Sequence, residues 1–252
     1  MTDAFIKLDN VSLDYFYYKK YNLKKTMIKS AINLFTGHHE PIIRLKRAVD
    51  GISLTFEKGD RIALIGKNGS GKSTLLRILS GIYHPTGGTL SSRGKISSLL
   101  DISVGLNIDA TGYENIILMG ILHGKTRKQM RAKFADIEEF TELKDYLKLP
   151  VRTYSNGMKL RLAFGIATCI ESDIIILDEV VGVGDQNYMQ KAQKRLQDLV
   201  HNSQILILAS HFTQVLENFC NKSLVLDQGK CLFWGDLQKG IELYHKLPTV
   251  TG

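Results

Sequence analysis

At 252 residues, 44% hydrophobic and 23% charged, the composition is that of a globular chain long enough for one large domain or two small ones. Cys169, Cys220 and Cys231 show no CxxC or metal-type spacing, the N-terminus lacks a signal-peptide pattern, and no run approaches the roughly 20 apolar residues of a membrane span, so a cytoplasmic location is expected and a membrane role needs another polypeptide. The net charge of +8 admits nucleic acid, an anionic membrane or phosphate ligands, but residues 16–50 hold eight basic side chains against Glu40 and Asp50, so the basicity belongs to an arm.

Taken in chain order, "FIKLDNVSLDYF" and "GISLTFEKG" (51–59) alternate apolar and polar positions and predict antiparallel strands. Between them, Leu23, Met27, Ile28, Ala31, Ile32 and Phe35 recur on one face of a predicted helix, with Lys24, Lys25 and Lys29 mainly off that stripe. "RIALIG" (61–66) is a buried-strand run followed by a glycine-rich turn, and "KSTLLRILSG" (72–81) predicts a helix stopped by Gly81. The section from about 100 to 170 reads as mostly helical, with one helix opened by a Thr111–Glu114 capping box and others over 127–141 and 156–170. Strands return at 173–180 and 204–211 around a helix near 188–200, then a hairpin over 223–235 and a last helix over 236–246. Buried strands alternating with helices predict an α/β fold with a mostly parallel sheet, an N-terminal antiparallel β subdomain and a helical subdomain.

Three stretches carry chemistry. "GKNGSGKS", Gly66-Lys67-Asn68-Gly69-Ser70-Gly71-Lys72-Ser73, fits G-x-x-x-x-G-K-[ST] between a strand and a helix, so it reads as a phosphate-cradling P-loop. Its backbone N–H groups and the following helix N-terminus face phosphate oxygens, Lys72 bridges the β- and γ-phosphates, and Ser73 ligates Mg²⁺. "DIIILDE" ends a buried strand in Asp178 and Glu179, at the sheet edge where open α/β sheets bind ligands. Asp178 is assigned to Mg²⁺ through a water and Glu179 to polarising the attacking water. "YSNGMKLRLAFGIA" (154–167) places Ser155 and Gly157 at a helix N-terminus, a second anion site.

Together these motifs resemble the ATP-binding cassette (ABC) ATPases, and "YSNGM" is similar to that family's signature, with Met158 where glutamine is commoner. The resemblance implies that Ser155, Asn156, Gly157 and Met158 meet the ATP held by a second subunit, in a head-to-tail homodimer enclosing two ATP molecules. It also implies that Thr74 completes the P-loop, that His211 in "LASH" contacts the γ-phosphate, and that Asp185 in "VGVGD" crosses the dimer interface. The adenine-stacking aromatic is Tyr15, with Phe16, Tyr17 and Tyr18 as alternatives. One position departs from the family: at the junction with the helical subdomain, where a glutamine contacts Mg²⁺ and the membrane partner, the chain has no suitably placed glutamine, and Asp101 is the candidate metal ligand.

"LLDISVG", "TGYENI" and "YSNGMKLRLAF" are similar to the ATPase subunits that export O-antigen, capsule and teichoic acid, which read LLELGxG, TGRENI and YSSGMxxRLAF. That likeness implies an ATPase at the cytoplasmic face of a bacterial inner membrane, driving a polytopic permease that exports a lipid-linked polysaccharide. The core is expected over about 1–98 and 172–252, the helical subdomain over about 99–171, and a basic amphipathic insert over 16–47. Residues 22–36 are expected to face lipid headgroups or the lipid-linked substrate. Because the chain ends at Gly252, it is not expected to read the glycan terminus itself. Two alternatives stay open: an ABC subunit for small-molecule import or drug efflux, and a soluble ABC ATPase acting on nucleic acid or the ribosome. The latter tends to carry two cassettes or a long coiled-coil insert, so no nucleic-acid partner is expected.

Overall fold

A computed structural model describes residues 3–18, 43–100, 105–178 and 186–247. The stretch 22–36, Asp101, Glu179 and Asp185 lie outside the described residues. Two sheets organise the rest. Strands β1 (Phe5–Tyr18) and β2 (Ile43–Glu57) pair antiparallel along their length, and β4 (Gly87–Arg93) adds to the other edge of β1, giving the order β2-β1-β4. The β1–β2 ladder runs out to the Tyr18–Ile43 pair, so residues 16–18 and 43–47 belong to the ladder.

The larger sheet contains β3 (Arg61–Gly66), β5 (Ile96–Leu99), β6 (Ile174–Asp178), β7 (Ile205–Ala209), β8 (Lys222–Asp227) and β9 (Lys230–Asp236), in the order β5-β6-β7-β3-β8-β9. Its first five strands are parallel, and β9 returns antiparallel through the predicted hairpin. Apolar runs such as Ile174–Leu177 are continuous because both faces of these strands are buried. Ile62, Leu64, Ile174 and Ile176 face the antiparallel sheet and helix α1 (Lys72–Leu79), while Ala63, Ile65, Ile175 and Leu177 face the opposite layer. That layer is built by α6 (Gln186–Asn202), α7 (Thr213–Phe219) and α8 (Leu237–Lys246).

Between β5 and β6 the chain forms a helical unit with its own core, including Ile116, Met130, Ile137, Leu147 and Leu162. It holds α2 (Gly112–Leu122), α3 (Arg127–Arg131), α4 (Phe134–Thr141), two 3₁₀ turns and α5 (Asn156–Thr168). The single helix expected over 127–141 is two. Lys133 N–H closes a tight turn on the Met130 carbonyl at 3.0 Å, and its own carbonyl restarts the ladder by accepting from Ile137 N–H. Gln129 forms a second capping box with Thr126 at the start of α3. Among the described residues no helix is long and apolar enough to cross a membrane.

Candidate functional site

The glycine-rich turn leaves the C-terminal end of β3 and enters α1. Gly71 is its tightest point: its φ is +107°, and a Cβ there would lie 2.4 Å from the Ala48 carbonyl oxygen. Only glycine meets both conditions. Gly71→Ala is therefore expected to cost about 1–3 kcal/mol of backbone strain, lowering the melting temperature by several degrees in a thermal unfolding scan. An unchanged melting temperature would show that β2 yields at no cost.

The Lys72 ammonium lies within the turn, donating to the carbonyls of Gly66 at 2.5 Å and Lys67 at 3.1 Å. Helix α1 has no side-chain cap and no acid in its first turn. Its first amides and their dipole are thus directed at the turn without internal neutralisation. Among the described residues the buried Ser70 hydroxyl has no hydrogen-bond partner, although Ser70 N–H donates to Lys67 O at 3.1 Å.

A cleft of about 1020 Å³ opens over this turn and gathers residues from several elements. Asn68, Gly69 and Gly71 to Thr74 contribute the turn and the first residues of α1, with Ser73 among them; Asp178 comes from the end of β6, and Ser210 and His211 follow β7. The strands β3, β6 and β7 are parallel, so these groups converge at one C-terminal edge. From the antiparallel sheet come Tyr15 and Lys46–Ala48, and from the β8–β9 turn come Gln228 and Gly229. Tyr15 shares a hydrogen bond of 3.2 Å with the Thr74 hydroxyl and packs edge-on to Tyr83. Phe16 is 56% exposed and does not line the cleft.

Sequence reading missed the other walls. Gly229 N–H donates to Ser70 O and Gly229 O accepts from Asp50 N–H, both at 2.9 Å, so the hairpin turn ties the phosphate loop to β2. Arg47 reaches Asp14 through Nε at 2.9 Å and Asp50 through Nη1 at 3.0 Å. The hydrogen bond from Arg47 holds the Asp14 carboxyl below its ordinary range. An alternation pattern cannot report this, since the Asp14–Arg47 pairing follows a bulge that only register reveals.

The second predicted anion site is the start of α5. Ser155 caps the helix by accepting from Met158 N–H at 3.2 Å, and Ser155, Asn156 and Gly157 are exposed. None of them lines the cleft over the glycine-rich turn. The neighbouring "TGYENI" is a bracket for this region. Thr111 and Glu114 form the expected capping box, and the fully buried Asn115 amide donates to the carbonyls of Asn107 and Thr111, each at 2.9 Å. A Cβ on Gly112 would sit 2.6 Å from the Tyr154 hydroxyl, so the two motifs pack against each other. Burial pushes the Tyr154 phenol up to about 12. Arg195 on α6 then binds Asp136 on α4 with both nitrogens (2.8 and 2.5 Å) and Thr168 on α5 at 3.0 Å, tying the helical unit to the helix after β6. That guanidinium lowers the Asp136 pKa, against a smaller rise from burial.

The family described as "ABC transporter" matches residues 49–182. The chain belongs to the ABC transporter family. Its relatives include the O-antigen export system ATP-binding protein RfbE of Yersinia enterocolitica, 36% identical over 91% of this chain and 96% of that protein. The O-antigen export protein RfbB of Myxococcus xanthus is 43% identical over 72% of this chain, but the match spans only 42% of its length. The teichoic acids export protein TagH of Staphylococcus haemolyticus is 33% identical over 96% of this chain and 88% of its own. Among solved structures, a dimeric post-hydrolysis state of the ATP-binding cassette MJ0796 bound to ADP and Pi superposes with a TM-score of 0.67 at 20% identity, covering 92% of this chain and 98% of that one. An ATP-binding subunit of an ABC transporter gives 0.70 at 18% identity, covering 95% and 93%. At that identity the likeness is one of fold.

The chain's donor set suits a polyphosphate and a hard cation. The buried, unpartnered Ser70 hydroxyl, the uncapped α1 N-terminus and the Lys72 ammonium all favour an anion. Ser73 and Asp178 supply oxygen ligands in the same cleft. Among the described residues no group of three or more His, Cys, Asp or Glu could hold a metal unaided.

Proposed function

We propose that the chain is the ATP-hydrolysing subunit of an ABC exporter, dimerising around two ATP molecules to drive a membrane permease that exports a lipid-linked cell-surface polysaccharide. The observation that carries the ATPase reading is the convergence of the phosphate loop, Ser73, Asp178, His211 and Tyr15 on one cleft. The export reading is supported by relatives in Yersinia and Staphylococcus that match most of this chain.

In this mechanism the residues mainly position and neutralise. Gly66 to Thr74 wrap the phosphates with backbone amides, and Lys72 turns its ammonium from the loop carbonyls toward the β- and γ-phosphates. Tyr15, held by Thr74, offers its ring to adenine. Ser73 and Asp178 would hold Mg²⁺, with Asp101 as a further ligand, and the ion would offset charge on the β- and γ-phosphate oxygens. Glu179 accepts the proton of the attacking water, and His211 orients water and γ-phosphate together. Ser155, Asn156, Gly157 and Met158 close the site of the partner subunit, and Asp185 crosses between subunits.

The reading is tested with purified protein and with cells. The chain should hydrolyse ATP in a Mg²⁺-dependent way and co-isolate with a polytopic membrane protein. Cells lacking it should lose a surface polysaccharide and accumulate the lipid-linked form inside. Unchanged surface glycan would overturn the export reading.

Residues 22–36 are assigned to the membrane face of the cytoplasm, with Lys24, Lys25 and Lys29 toward anionic headgroups or the substrate's diphosphate. Their deletion should spare basal ATP hydrolysis and abolish export, read as surface glycan in a complemented strain. Unimpaired export would rule the assignment out.

A further inference from the structure

Lys46 stands apart from the other basic residues of its segment. It lies directly across the β1–β2 ladder from Tyr15, and cross-strand partners project from the same face of a sheet. Both residues line the cleft. Two positions along β2, the Ala48 carbonyl abuts Gly71 of the phosphate loop. At about 3.3 Å per residue, Lys46 stands roughly 7 Å along the strand from that contact, within reach of a lysine side chain.

Its neighbours are already neutralised. Arg47 is paired with Asp14 and Asp50, and Lys230 lies 3.6 Å from Asp50. The Lys46 side chain has no ion pair or hydrogen bond among the described residues. An unpaired ammonium on a cleft wall already rich in amide donors attracts an anion.

We propose that Lys46 is a nucleotide-binding residue, contacting the phosphate chain from the antiparallel sheet while Lys72 holds it from below. The assignment rests on the nucleotide reading of the cleft. It makes Lys46 an affinity determinant placed by β2, outside the glycine-rich loop. Part of the chain's positive charge then serves the nucleotide.

Calorimetric titration of ATP and ADP into the full chain tests it, with Lys46→Gln, Lys46→Glu and Lys46→Arg compared at two salt concentrations. Lys7→Glu is the control, since Lys7 is an exposed β1 residue outside the cleft and the substitution makes the same change in net charge. For an exposed charge pair, Lys46→Gln should weaken binding roughly threefold and Lys46→Glu about tenfold. Lys46→Arg should restore it, and the wild-type advantage should shrink at high salt. Equal affinity in all Lys46 variants, or an equal loss in Lys7→Glu, would overturn the assignment while leaving the nucleotide site in place. Failure of the wild-type chain to bind either nucleotide would instead overturn the nucleotide reading and this inference with it.

Discussion

The Glu179→Gln chain is expected to bind ATP and dimerise with wild-type affinity while turning it over at least about a hundredfold more slowly, the usual contribution of a positioned general base. The substitution keeps the side chain's size and removes only its charge and basicity. The argument rests on chain continuity from a fixed point. Strand β6 is buried through Leu177, and Asp178 emerges from its C-terminal end into the cleft. Glu179 is the next residue in the chain after Asp178, the one carboxylate among the described residues that lines this cleft. Turnover, equilibrium nucleotide binding and ATP-dependent dimerisation should be measured together. Loss of hydrolysis with retained binding separates a base from a ligand-holding residue; near-normal turnover would remove Glu179 from catalysis.

The parts of this molecule that were legible in sequence are those where one physical demand dominates. Ile174–Leu177 and Ile205–Ala209 are buried on both faces, so nothing interrupts their apolar runs. The loop from Gly66 to Ser73 must curl around an anion, which restricts it to small residues and one lysine. Strands β4 and β5 were missed because "GGTLSSR" and "ISSL" carry weak strand propensity. They are set by pairing with β1 and β6, partners distant in the chain. Helix α7 was missed for a related reason: its seven residues are too few to build a convincing period, and it is held in place by Leu216 packing into the layer behind the sheet. The same holds for the site. Lysine and arginine at 46 and 47 read as part of a basic arm, yet the β1–β2 register sets Lys46 opposite Tyr15 and Arg47 opposite Asp14, and both residues line the cleft. Gln228 and Gly229 look like an ordinary hairpin turn until the Ser70–Gly229–Asp50 hydrogen bonds are traced.

Gly157→Asp is expected to leave the fold intact and lower ATP hydrolysis by about two orders of magnitude or more, the scale of losing an electrostatic anion contact. A Cβ at Gly157 meets only the Ser155 hydroxyl, at 3.9 Å, and the position is exposed in the first turn of α5. An acid there favours the helix, so lost activity cannot be charged to unfolding; it must come from repelling a phosphate. The start of α5 does not line the cleft formed by this chain's own phosphate loop, so under the proposed function the phosphate it meets is one held by a second subunit. In a two-fold dimer each site would then combine one chain's Lys72 with its partner's Gly157. Lys72→Ala and Gly157→Asp chains should each be inactive alone. Mixed in equal amounts, half of the dimers pair the two variants, and each such dimer holds one intact site out of two. Recovery should approach about a quarter of wild-type turnover if the two sites act independently. Wild-type turnover by the Gly157→Asp chain on its own would mean that one chain completes its site unaided, and the shared-site arrangement would fall.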